Sequence, residues 1–145
     1  MREHDASCRL RRARETRPAV LLRLAENRPD RRIVFTEGAL PAIEPVNFVL
    51  DGEDVIIRTG MGSKLAQAAR SAVVAFEGDQ YDETTLTGWS VVFIGRAEAV
   101  GHESERRRLA TLGLTPWALG GRPHYIRIRP EIVRGRRIPP RRAAV

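Results

Sequence analysis

The sequence predicts a mainly β domain, an antiparallel barrel of six to seven strands, closed or partly open, with two or three short helices. Three observations predict it. Apolar and polar residues alternate over short runs punctuated by glycine turns, as half-buried strands require. The stretches with helical spacing are short and isolated. No repeated strand–helix–strand order of the kind that builds a parallel sheet runs along the chain. At 145 residues and 42% hydrophobic content, the length suits one domain around one core.

Residues 1–31 stand apart as an arginine-rich segment with one short helix. Val20, Leu21 and Leu24 form its apolar face, Thr16 is the N-cap, Pro18 lies in the first turn, and Asn27 with Pro29 stops it. The domain proper spans residues 32–138. Its first part reads as a meander of strands Ile33 to Thr36, Ala42 to Leu50 and Val55 to Thr59, with turns at Glu37-Gly38 and Asp51-Gly52. Gly60-Met61-Gly62 ends the third strand, and Ser63 to Arg70 follows as a short helix with Leu65, Ala66 and Ala69 on one face. Two further strands, Val73 to Glu77 and Trp89 to Val100, flank an acidic loop around Asp79, Asp82 and Glu83. A second helix, Ser104 to Leu112, is expected to open on a serine cap and stop at Gly113. Beyond a loop carrying Trp117, His124 to Arg129 sets Tyr125, Arg127 and Arg129 against Ile126 and Ile128, and Ile132 to Ile138 would close the sheet. Residues 139–145 read as a disordered basic tail.

The net charge of +7 raises nucleic acid as a partner, and its location argues against one. Residues 1–32 and 134–145 each carry +5, whereas the middle of the chain carries −3. The folded part is thus slightly acidic, the opposite of a basic recognition face. No run approaches the roughly 18 apolar residues of a membrane span, and no apolar stretch follows the arginine-dense start to form a signal peptide. The single Cys8 has no thiol to pair with, which suits a reducing compartment; the expected location is the cytoplasm. His4, His102 and His124 show no metal-ligand spacing, so no metal site is expected.

The sharpest feature is Arg58-Thr59-Gly60-Met61-Gly62-Ser63-Lys64. A strand runs into a glycine turn and then into a helix N-terminus, where free N–H groups and the helix dipole favour an anion. Ser63 and Lys64 would add a hydroxyl and a charge. Lys64 is the only lysine; the other 24 basic residues are arginine. That suggests a need for a compact ammonium. A solvent-facing lysine opening a surface helix would read the same way. The nucleoside-triphosphate loop is set aside, because Ser63 here precedes Lys64 after a shorter glycine spacing.

An ordered set of segments resembles one family. They are Leu40-Pro41-Ala42-Ile43-Glu44-Pro45-Val46-Asn47-Phe48, then Val55-Ile56-Ile57-Arg58-Thr59, Gly62-Ser63-Lys64-Leu65-Ala66, Val74-Ala75-Phe76-Glu77, Gly88-Trp89-Ser90-Val91 with Gly95-Arg96-Ala97, and Pro116-Trp117 with His124-Tyr125-Ile126-Arg127-Ile128. Order and spacing are similar to the flavin-binding, pyridoxamine 5'-phosphate oxidase-like proteins over roughly residues 32–138. The resemblance implies an FMN-binding split β-barrel working as a homodimer, with the flavin in a groove at the interface. It implies that Arg58, Thr59, Ser63 and Lys64 grip the flavin phosphate and that Pro45, Val46, Asn47 and Phe48 edge the ring. It places Ser90 where a polar side chain reaches the flavin and Trp117 where the second subunit supplies an aromatic wall. Core packing is the alternative fate of Trp89 and Trp117. The implied activity is that of an FMN-dependent oxidoreductase on a small molecule; the alternative is a protein that binds a flavin, a deazaflavin or haem without turnover. The chain lacks the tryptophan- and arginine-bearing C-terminal strand of the true oxidase, so oxidation of pyridoxamine 5'-phosphate itself is not expected. No catalytic acid–base pair accompanies the flavin pattern.

Overall fold

The computed structural model describes residues 31–60, 62–114 and 123–140. The helix expected near the N-terminus, Trp117 and the last five residues lie outside them. Seven strands form one antiparallel sheet: β1 (Arg31–Glu37), β2 (Leu40–Pro45), β3 (Phe48–Asp51), β4 (Asp54–Gly60), β5 (Val73–Asp82), β6 (Thr87–Ala99) and β7 (Pro123–Ile138). Helix α1 (Lys64–Ala68) follows β4, and α2 (Glu103–Ala110) follows β6. The strand order is β2-β1-β5-β6-β7-β4-β3. The sheet is therefore open, with β2 and β3 at its two edges.

Those edges are consecutive in the chain, joined only by Val46 and Asn47. A sheet whose outermost strands share so short a connection has to curl. The core bears this out: Ile33, Phe35, Val55, Ile57, Val74, Phe76, Phe93, Ile126 and Ile128 form one buried cluster against which Ala42 of β2 and Phe48 and Leu50 of β3 pack. Phe48 stands edge-to-face on Phe76 with ring centroids 4.9 Å apart, although β3 and β5 are not neighbours in the sheet. Leu65 and Ala69 bring α1 into the same cluster. The outer face of β4 and the first half of β7 carries a second cluster, in which Ile56 and Tyr125 are covered by Leu109 of α2, Val100 and Leu114.

Five expectations are corrected. The run Ala42 to Leu50 is two strands rather than one. Pro45, which has no N–H to donate, ends β2; the Val46 N–H turns back to the Arg31 carbonyl at 2.9 Å, and β3 leaves for the far edge. The first turn centres on Gly38 and Ala39, at φ +53° and +66°, the left-handed pair that a two-residue hairpin needs. The acidic segment is mostly strand: β5 continues to Asp82, whose carboxylate accepts the N–H groups of Thr84 and Thr85 at 2.8 and 3.0 Å and so closes the hairpin one step later. Finally, α2 is capped at His102 without a side-chain bond, not at Ser104. The last two predicted strands are one continuous β7. It bulges where Ile94 pairs with Ile132 but Gly95 pairs with Pro130, which keeps Pro130 inside the sheet while adding one residue.

Candidate functional site

The segment from Thr59 to Lys64 is an open elbow. An ideal Cβ on Gly60 or Gly62 would meet nothing within 4 Å, and Gly62 takes φ +84°, a region that disfavours other residues. Ser63 caps α1: its Oγ accepts the Ala66 N–H at 2.9 Å. The same Oγ lies 2.9 Å from Thr59 Oγ1. Two hydroxyls that share one hydrogen bond leave the second hydroxyl hydrogen free to point at an anion. Lys64 Nζ pairs with Glu37 Oε1 at 3.1 Å, with 71% of its side chain exposed. Because α1 has only five residues, its dipole is small and decays within a turn; the hydroxyl pair and the ammonium are the groups here that could take an anion. The fit to a phosphate is good at these three residues.

Arg58 departs from this set. Val55 and Ile57 of β4 face the core, so Arg58, in step with Ile56, faces outward. Its Nη1 donates to the Leu114 carbonyl at 3.1 Å. Pro45 is exposed opposite Arg32, Val46 is buried, and Asn47 completes the link between the two edges. Ser90 lies on the outer face of β6 between Asp79 of β5 and Arg136 of β7. About 30 Å of strand separates Ser90 from Ala99 at the other end of β6, and Thr59 lies beyond that end, paired with His124. Within one copy Ser90 and the hydroxyl pair are thus far apart. Trp89 packs on the core and donates its indole N–H to Gln80 at 3.2 Å.

Two arrangements have no counterpart in the sequence reading. Arg127, only 14% exposed, bonds Asp54 at 2.8 Å, Asp51 at 2.9 Å and Glu105, while Arg108 bonds Asp51 at 2.6 and 2.8 Å and Glu105 at 2.8 Å. This network ties the β3–β4 hairpin to β7 and α2. The Arg108 hydrogen bonds, with those of Arg127, outweigh partial burial and hold the Asp51 carboxyl well below the usual range. The other arrangement is a cleft of about 490 Å³ lined by Gly62, Ala66, Gln67, Arg70, Ala99 and His124. Both imidazole nitrogens of His124 are buried without a hydrogen bond; burial, then the charges of Arg106 and Arg70, push its pKa down. Among the described residues no group of three His, Cys, Asp or Glu could hold a metal, and no helix is long and apolar enough to cross a membrane.

With this geometry in place, comparison with known proteins is decisive at the level of family. Residues 17–137 match the pyridoxamine 5'-phosphate oxidase family. The chain belongs to that family. The uncharacterised protein Rv0080 of Mycobacterium tuberculosis is 45% identical over 74% of this chain and 73% of its own length. Among solved structures, the FAD binding protein from Mycobacterium smegmatis is 33% identical, covering 84% of this chain and 96% of that one at a TM-score of 0.70. The FAD and haem binding protein of the same organism is 15% identical over 82% of this chain and 69% of that one at a TM-score of 0.64; it shares the fold.

Proposed function

We propose that this protein binds a flavin, with FMN as the form that suits a single phosphate site, and works as a homodimeric flavin-dependent oxidoreductase on a small molecule. The observation that carries the reading is the open elbow where Thr59 and Ser63 offer a free hydroxyl hydrogen beside the only lysine. The similar FAD binding protein of Mycobacterium smegmatis, at 33% identity, supports a flavin in general. When bound, the flavin supplies the electron transfer. The chain's part is to hold it: the hydroxyls and Lys64 take phosphate oxygens, and Glu37 has to give up its ion pair as they do so.

Absorbance of the protein as purified, followed by mass analysis of the extracted chromophore, separates FMN from FAD, a deazaflavin or haem; a colourless protein that takes up no flavin on titration sinks the reading. Anaerobic addition of NADH or NADPH tests turnover, since a flavin that neither donor bleaches leaves a binding protein. Lys64→Ala is expected to weaken FMN about tenfold or more, as loss of a charge-assisted bond of roughly 1.5 to 3 kcal/mol requires. Its stability cost should stay within about 0.5 kcal/mol. Riboflavin, which lacks the phosphate, should bind both proteins alike. Glu37→Gln should tighten FMN by about twofold, because an exposed ion pair contributes at most about 1 kcal/mol.

A further inference from the structure

Among the described residues, the only buried side-chain polar atoms without a hydrogen bond are the two nitrogens of His124. Such orphans are rare in folded proteins, because a desolvated polar group without a partner is costly. The fold itself puts the ring there. His124 lies on the inward face of β7, in step with Ile126 and Ile128 of the core, and α1 crosses this end of the curled sheet with Leu65 and Ala69 in the same core. Ala66 on the helix and Ala99 at the end of β6 are too small to fill the space between them, and the cleft of about 490 Å³ is the result. That volume suits a small organic molecule. Two more polar groups line it. Arg70 makes no hydrogen bond or ion pair among the described residues. Gln67 donates its amide N–H to the Gly62 carbonyl at 3.1 Å, which leaves its own carbonyl oxygen to accept.

The unmet groups define what would satisfy them. Burial, then the charges of Arg106 and Arg70, favour the neutral imidazole, in which one nitrogen donates and the other accepts. A bare anion offers acceptors only: it answers Arg70 and the imidazole N–H, and leaves the second nitrogen orphaned. A hydroxyl supplies the missing donor. We propose that this cleft is a binding site for a small hydroxy-carboxylic acid with an apolar body, its carboxylate on Arg70, its hydroxyl on His124 and its carbon skeleton against Ala66 and Ala99. The site goes beyond the flavin reading and does not depend on it. It touches the elbow at Gly62, but it uses neither the Thr59 and Ser63 hydroxyls nor Lys64.

Mandelate carries all three parts, and titrating it calorimetrically into flavin-free protein keeps the outcome separate from that of the flavin titrations. Binding should saturate at one mandelate per chain. Phenylacetate, which lacks the hydroxyl, and mandelamide, which lacks the charge, should each bind about five- to tenfold more weakly, since each leaves one of the cleft's polar groups unmet. Arg70→Gln, at an exposed position, should weaken mandelate by a similar factor and leave mandelamide unaffected. The chain has three histidines, so the imidazole NMR signal lost in His124→Phe identifies His124; mandelate should shift that signal and leave those of His4 and His102 in place. Should His124→Phe fail to fold, the Arg70→Gln titrations carry the test alone. Saturating FMN or inorganic phosphate should leave mandelate bound. No binding of mandelate at millimolar concentration, equal affinity for the three ligands, an unmoved His124 signal or an Arg70→Gln variant that binds like wild type would overturn the proposal. Displacement of mandelate by FMN or by phosphate would overturn it as well, by making the cleft part of the elbow's own anion site.

Discussion

Ile56 and Tyr125 on the outer face of β4 and β7 are buried beneath Leu109 and Leu114, whereas Ile132, farther along the same β7, stands 46% exposed. Outward-facing side chains of one sheet meet opposite fates because the described residues place a helix over one region and nothing over the other. Burying a residue such as Leu109 stabilises by roughly 1.5 to 3 kcal/mol, and the Arg127–Asp51–Asp54–Glu105 network then fixes α2 against the hairpin. The division falls at the β7 bulge. Up to Arg129 the outward residues of β7 belong to the covered region; after the extra residue they are Ile132, Arg134, Arg136 and Ile138. The bulge lets one strand serve a finished surface and an unfinished one.

The strongest way to break this division is at the bulge itself. A Cβ on Gly95 would sit 1.9 Å from the Arg129 carbonyl oxygen, and since that is backbone, the two strands would have to part. Gly95→Val should cost about 3 kcal/mol or more in urea unfolding; a loss under about 1 kcal/mol would mean that the bulge is soft. Next comes the cover: Leu109→Ala should cost about 2 to 5 kcal/mol, as large-to-small changes in a core do. Ile132→Ala should change monomer stability by less than about 1 kcal/mol. Similar losses at the two positions would refute the contrast.

The smallest expected effect distinguishes the regions by pH. The folded pKa of Asp51 lies below its ordinary value of 3.8, and that of Glu105 is lowered first by its hydrogen bond with Arg108. Depressed carboxyl pKa values contribute stability that is present above the unfolded pKa and lost as pH falls through the folded one. Urea midpoints should therefore hold down to about pH 4 and decline below it. Asp51→Asn should flatten that decline by on the order of 1 kcal/mol. An unchanged slope would remove Asp51 from the account.

Strand and helix types were legible in the sequence wherever period and punctuation agreed, as in the alternation of His124 to Arg129 or the short helix that follows Gly62. They were misread where a local rule competed with the global fold. Ala42 to Leu50 has the residues of one strand, and only Pro45 and Asn47 hint that it changes edges. The site was legible in part: Thr59, Ser63 and Lys64 converge because they are adjacent in the chain. Arg58 escapes to the opposite face by the two-residue period of its strand, a consequence the sequence already contained. The Arg127 network was invisible, because Asp51, Glu105 and Arg127 are brought together only by strand pairing across long separations.

The link through Val46 and Asn47 also shapes the order in which the chain can assemble. β1 with β2, β3 with β4 and β5 with β6 are hairpins of near neighbours, each able to form within microseconds once its turn is made. None of them encloses the core alone. β7 pairs with both β6 and β4, and its bond to β4 joins Val55 to Ile128, a loop long enough that its closure entropy precedes most of the reward. Docking of β7 is the expected rate-limiting event, in the millisecond-to-second range of sheet proteins with distant pairings. Until it docks, the chain would exist as hairpins with exposed edges, the state in which aggregation competes with folding.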